Sequence, residues 1–170
     1  MQVNKVLDRP VRDIMQSDVV TLDPSDTMAD AASVFMKAHI SGAPVVDGDR
    51  ACVGVLSITD IVSAVDESSD ITARLADEFF GQANLILPSA VYAERLANIR
   101  DRLEPQSDQP VSNFMMPQVV SVMKSDTLHV AVRCLVDGRI HRVIVVDDHG
   151  HLQGIVSTMD VLNAILGDAD

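Results

Sequence analysis

Apolar and polar positions change rhythm along the chain in a fixed order. Val19-Val20-Thr21-Leu22 is a short β-rich run, and Asp23-Pro24-Ser25 after it is a turn signal. Ala31, Val34, Phe35 and Ala38 then recur at the spacing of one helical face. Thr27 stands before that face, and with Asp30 three residues later it predicts a capping box. Ser41-Gly42 is read as the end of the helix, and Pro44-Val45-Val46 as a buried strand. Asp47-Gly48-Asp49 is hairpin-turn chemistry leading into a paired strand over 52–56. Ser57 then caps a second helix carrying Ile61, Val62 and Val65. The unit is βαββα, with three short strands and two helices.

The same rhythm occurs twice. Sliding the chain by 100 positions aligns residues 11–65 with 111–165 without a gap, and 16 of the 55 pairs are identical. The second copy uses Asp148-His149-Gly150 as its turn. A single unit of this size leaves much of its surface in water, so two copies predict face-to-face packing about a pseudo-twofold axis, with a cleft between them. The expected fold class is α+β. Residues 1–65 form one repeat, 66–110 a helical insert and linker, and 111–170 the second repeat.

Within the insert, Val91, Leu96, Ile99 and Leu103 mark one helical face, opposite Glu94, Arg95, Arg100 and Asp101. Ser89 is its candidate cap, and the run from Glu104 to Pro110 is a linker. Two readings stay open: a helix packed on its own module, or one that mediates dimerisation or contact with another protein.

Composition narrows the function. Of 170 residues, 47% are hydrophobic and 22% charged, which supports a packed core. The 13 Lys and Arg against 25 Asp and Glu give a net charge of −12, and aromatics are only 3% with no Trp. That balance repels polyphosphate backbones and offers few stacking platforms, so nucleic acid is not an expected partner. A few local cations can still hold one small anion. Cys52 and Cys134 are too few for a disulfide framework and fit core positions in a reduced, cytoplasmic setting. No apolar run approaches the roughly 18 residues that cross a bilayer, so no membrane partner is expected. The chain begins at Met1 and finishes soon after the second copy, which predicts that any regulated protein is a separate molecule.

The most pointed local pattern runs from Gly54 to Asp60, with its echo from Gly154 to Asp160. Each time a strand delivers a Ser to a helix start and places an Asp three residues on. Ser-x-x-Asp is a capping box, and the Asp also complements the helix dipole. The same geometry serves a ligand: a helix N-terminus attracts an anion, and a carboxylate accepts from sugar hydroxyls. The two readings are compatible. His149 and His151 make a weak metal site without carboxylate or Cys partners, and no metal is expected. His141, Ser157 and Asp160 share a neighbourhood, yet Ser57 has no matching His, and no phosphate loop or nucleophile elbow occurs. Catalytic residues are therefore not expected.

Both halves resemble cystathionine-β-synthase-type (CBS) domains, and the whole is similar to a tandem pair, or Bateman module. The resemblance rests on Val11-Arg12-Asp13-Ile14-Met15, on Ile40 to Asp47, and on Gly54 to Asp60. In the second half it rests on Phe114-Met115-Met116-Pro117, on Ile140 to Asp147, and on Gly154 to Asp160. It implies a regulatory module, not an enzyme, binding an adenine nucleotide (AMP, ADP or ATP) or S-adenosylmethionine in two clefts. It further implies that Asp60 and Asp160 hold ribose hydroxyls, with Ser57 and Thr59, or Ser157 and Thr158, reaching the phosphate. Val19-Val20-Thr21 and Val119-Val120-Ser121 would each line an apolar base slot for the opposite repeat, with Met15, Met115 and Met116 nearby. Homodimerisation through the exposed faces of the paired helices is also implied. The sites are not equivalent, because His141-Arg142 precedes the buried strand in the second half where the first has uncharged Ser41-Gly42. The Arg142 guanidinium is a fixed fork of donors suited to phosphate. The dominant site for a phosphorylated ligand is thus expected at Asp160 and Arg142, with the Asp60 cleft weaker or suited to an uncharged adenosine group. The rival reading is a ligand-free oligomerisation or protein-interaction module acting through the insert.

Overall fold

Thr27 opens the first long helix by the expected chemistry. Its hydroxyl accepts from the Asp30 N–H at 3.1 Å, and the Asp30 carboxylate accepts from the Thr27 N–H at 3.4 Å. The computed structural model describes residues 3–65 and 108–167, and the predicted insert helix at Val91 to Leu103 lies outside the described residues. The elements are α1 (Val3–Leu7), a 3-10 turn (Val11–Asp13), α2 (Met28–Ala38), β1 (Gly42–Val46), β2 (Cys52–Ser57) and α3 (Ile58–Val65). The second set is a 3-10 turn (Val111–Asn113), β3 (Ser121–Met123), α4 (Leu128–Asp137), β4 (Arg142–Val146), β5 (Leu152–Ser157) and α5 (Thr158–Gly167). The fold is α+β with two small sheets.

Several local details depart from the sequence reading. Helix α2 is closed by His39 in the left-handed region (φ 53°), ahead of Ser41-Gly42. Arg139 repeats this conformation at φ 50° after α4. In the β1–β2 turn the left-handed residue is Arg50 (φ 66°) rather than Gly48, whereas the second repeat places Gly150 (φ 82°) there. Thr127 precedes α4 without a side-chain cap bond, and Val130 stands where the first copy has Asp30.

The expected first strand at 19–22 shrinks to one parallel bridge between Leu22 and Val45. Its counterpart β3 is a true strand, pairing in parallel with β4 from Ser121↔Ile144 to Met123↔Val146. One atom accounts for much of the difference. Ile144 donates its N–H to Val120 O at 3.3 Å. Pro44, at the matching position, has no N–H, so the first copy lacks that rung.

The described residues fall into two compact units, each discontinuous in sequence. The first contains residues 3–19, 46–53 and 118–167. In it Val11 donates to Asp126 O at 2.8 Å, and Leu128 donates to Arg9 O at 2.8 Å. Val6 and Val11 thereby enter a core with Val122, Leu128, Ala131, Leu135, Val143, Val145, Val156 and Val161. Fully burying a valine stabilises by about 1.5–3 kcal/mol, so this short N-terminal segment is held firmly. The two hairpin tips also pair here, Cys52 donating to Gly150 O and Leu152 to Arg50 O, each at 3.1 Å.

The second unit contains residues 20–45, 54–65 and 108–117. Residues 109–116 do for it what residues 9–16 do for the first. Met28 donates to Gln109 O at 3.0 Å, and Val111 donates to Asp26 O at 2.8 Å. Val111 is buried alongside Leu22, Met28, Ala31, Phe35, Val45, Leu56, Ile58 and Ile61. Each unit is thus completed by the segment that precedes the other repeat.

Candidate functional site

Two strand-to-helix corners carry the residues singled out by sequence. In the first unit β5 ends at Ser157 and α5 begins at Thr158. Asp160 Oδ2 accepts from the Ser157 N–H at 2.7 Å and from its hydroxyl at 2.6 Å. The Asp160 N–H donates back to Ser157 Oγ at 3.2 Å, which completes a capping box. Thr158 donates both its N–H (3.0 Å) and its hydroxyl (3.3 Å) to the His141 carbonyl. Arg142 pairs directly with Ser157 across the β4–β5 ladder. His141, Arg142, Ser157, Thr158 and Asp160 are therefore gathered at one corner. Val120 and Ser121 share the unit, beside β4, and Val120 keeps 44% of its surface exposed.

The N–H groups of Ser157, Thr158 and Asp160 are all engaged within the corner, as are both hydroxyl hydrogens. The His141 and Arg142 side chains at the same corner are exposed.

The second unit repeats the backbone with other side chains. Asp60 Oδ2 accepts from the Ser57 N–H at 2.7 Å and hydroxyl at 2.6 Å, and Asp60 donates to Ser57 Oγ at 3.4 Å. Ile58 stands at the Thr158 position and donates only its N–H, to Ser41 O at 3.0 Å. Thr59 is half-buried, and Val20 and Thr21 are exposed in the same unit. Val20-Thr21 and Val120-Ser121 thus lie in the units of their own repeats' corners. What reaches each corner from the other repeat is the stretch just upstream.

That stretch supplies residues the sequence reading missed. Gln16 and Ile155 exchange backbone hydrogen bonds at 2.9 Å each way, and the Gln16 carboxamide donates to Asp160 Oδ1 at 3.3 Å. Met116 forms the same bridge with Val55, at 3.0 and 2.9 Å. The glycines of the two motifs make room for this approach. A Cβ on Gly154 would lie 2.7 Å from Gln16 O, and one on Gly54 would lie 2.6 Å from Met115 Sδ. The only available signal for Gln16 was its mismatch with Met116 in an otherwise similar stretch.

Elsewhere in the first unit, the β4–β5 turn holds Asp147. Partial desolvation opposes its charge, but the N–H groups of His151 and His149, then the His151 ring, outweigh that and hold its carboxyl below the ordinary 3.8. His151 Nδ1 lies 3.1 Å from Asp147 Oδ2. Among the described residues no group of three or more His, Cys, Asp or Glu could hold a metal ion, and no helix is long and apolar enough to cross a membrane.

Both repeats therefore carry a Gly-x-x-Ser-x-x-Asp corner that delivers a capped aspartate. The sequence profile of the CBS domain matches residues 11–67 and 111–167, more than half of the chain. The chain belongs to the CBS domain family. An uncharacterized protein of Methanocaldococcus jannaschii is 29% identical over 164 residues, covering 92% of this chain and 90% of that protein. The SNF1-related protein kinase regulatory subunit gamma-1 of Arabidopsis thaliana is 25% identical over 154 residues, covering 88% of this chain but 32% of the subunit. The crystal structure of CBSX2 in complex with AMP, a CBS-pair protein of Arabidopsis thaliana, superposes with a TM-score of 0.66 at 22% identity, covering 93% of this chain and 96% of that one.

Proposed function

We propose that this protein is a regulatory module that binds an adenosine-containing ligand, and that its stronger site is the Asp160 corner. The observation that carries the reading is the gathering of Asp160, His141 and Arg142 at one strand-to-helix junction, where Ser157 fixes the carboxylate. A carboxylate held this way accepts from ribose hydroxyls, and the Arg142 fork suits a phosphate. The structurally similar CBSX2 is known in complex with AMP, which supports a ligand of this class. In a chain of net charge −12 a phosphate meets a repulsive background, so the local cation decides which corner takes it. The Asp60 corner, with Ser41-Gly42 in place of His141-Arg142, binds phosphorylated ligands more weakly. Control of a partner protein is the natural use of such a site, as the kinase regulatory subunit among the relatives illustrates. A ligand would act through its different affinity for two arrangements of the module.

Titration with AMP, ADP, ATP and S-adenosylmethionine, followed by thermal melting and calorimetry, tests this. A ligand that binds only the folded form raises the melting temperature. Asp160→Asn and Arg142→Ala should each weaken AMP binding about tenfold or more. Unchanged affinity in Arg142→Ala refutes the assignment of the stronger site.

A second reading, self-association without ligand, has one specific observation behind it. Val136, Met159, Leu162 and Leu166 on α4 and α5 expose 65%, 59%, 47% and 69% of their surface. A dimer in sedimentation together with no thermal response to millimolar nucleotide would favour it over the nucleotide reading.

A further inference from the structure

The two corners receive different side chains on the same backbone. Gln16 and Met116 are each fixed by a reciprocal pair of backbone hydrogen bonds, to Ile155 and Val55, so they start from equivalent places. Only Gln16 reaches the aspartate. Asp160 Oδ2 is occupied by the Ser157 N–H and hydroxyl, whereas Oδ1 receives the Gln16 amide at 3.3 Å. An ionised carboxylate accepts and never donates, so the carboxamide turns its NH₂ toward Asp160. Its Oε1 is then a second acceptor, tied to the first by the same hydrogen bond. Gln16 is exposed and Asp160 half-buried, which leaves this pair accessible to a ligand.

We infer that Gln16 and Asp160 together read a vicinal diol, so that the Asp160 corner selects ribose over 2′-deoxyribose ligands. The 3′-hydroxyl donates to Asp160 Oδ1 and the 2′-hydroxyl to Gln16 Oε1. A ligand lacking the 2′-hydroxyl leaves one acceptor without its donor, and a site built to bond a hydroxyl rejects the analogue without it. Met116 brings no acceptor oxygen in its side chain to the Asp60 corner, which therefore discriminates less. Gln16 is a specificity-determining residue on this account. The inference rests on the proposed ribose-reading role of Asp160.

Calorimetry with AMP and 2′-deoxy-AMP tests it, in an Asp60→Asn background that silences the other corner. The background protein should prefer AMP by about tenfold, the size of one hydrogen bond. Gln16→Met should bring that ratio close to one by weakening AMP alone, with the 2′-deoxy affinity and the melting temperature unmoved. A Gln16→Met variant that keeps the full preference overturns the inference. If binding persists and responds to Asp160→Asn but not to Gln16→Met, the diol-reading role of Gln16 fails while the site stands. If the wild-type chain binds neither nucleotide, both readings fall.

Discussion

The corner at Asp160 and the corner at Asp60 share a backbone and part company in the side chains around it. In both, a serine gives its N–H and hydroxyl to one oxygen of the aspartate at 2.7 and 2.6 Å. In both, an upstream segment crosses a motif glycine by a two-bond bridge. The outward chemistry diverges: His141-Arg142 against Ser41-Gly42, Thr158 against Ile58, Gln16 against Met116. The bonds common to both corners are those that start a helix, and they satisfy backbone groups that would otherwise be orphaned. The changes fall on side chains that make none of these shared bonds. Duplication kept the structural half of the motif and left the other half free to specialise.

The glycines offer the strongest way to separate the corners. A methyl group at residue 154 meets backbone, Gln16 O at 2.7 Å, whereas at residue 54 the nearest atom is the flexible Met115 Sδ at 2.6 Å. Gly154→Ala should cost about 2–3 kcal/mol of stability by overpacking, and Gly54→Ala distinctly less. Chemical denaturation of both variants measures the difference, and equal costs would mean the two crossings are equally tight. A smaller effect is expected at the first helix of each repeat. Thr27→Ala removes a working cap and should cost about 1 kcal/mol, while Thr127→Ala removes a hydroxyl that makes no cap bond and should cost little.

The smallest effect concerns pH. The carboxyls of Asp147 and Asp23 titrate below the ordinary 3.8, the second because the Ser25 hydroxyl and then its N–H favour the charged form. Folding therefore favours their ionised state. The stability they contribute is complete above 3.8 and is lost as pH falls through their lower folded values. Asp147→Asn should flatten that acid limb in equilibrium unfolding, and an unchanged slope would assign the limb to other carboxylates.

Much of this was legible in the sequence because it is local. The Thr27–Asp30 box and the two Ser-x-x-Asp corners depend on residues three apart, and the duplication shows as a gapless match at an offset of 100. Pro44 shows a rule that could have been applied further: a missing N–H shortens the ladder beside it. Arg50 carried no signal of its left-handed backbone, whereas His39 is of a residue type enriched in that region. Gln16 was hidden for a different reason. Its partner lies 144 residues away, and only the exchange of upstream segments brings them together.

That exchange fixes the order in which the molecule can finish itself. Val6 and Val11 are synthesised more than a hundred residues before the strands and helices they pack against, which lie beyond residue 118. Until residues 122–161 have been made, that segment lacks its core partners and the first unit lacks most of its interior. The closing entropy of that long loop is met only then, so a pause anywhere between residues 11 and 122 leaves the apolar side chains of that segment uncovered.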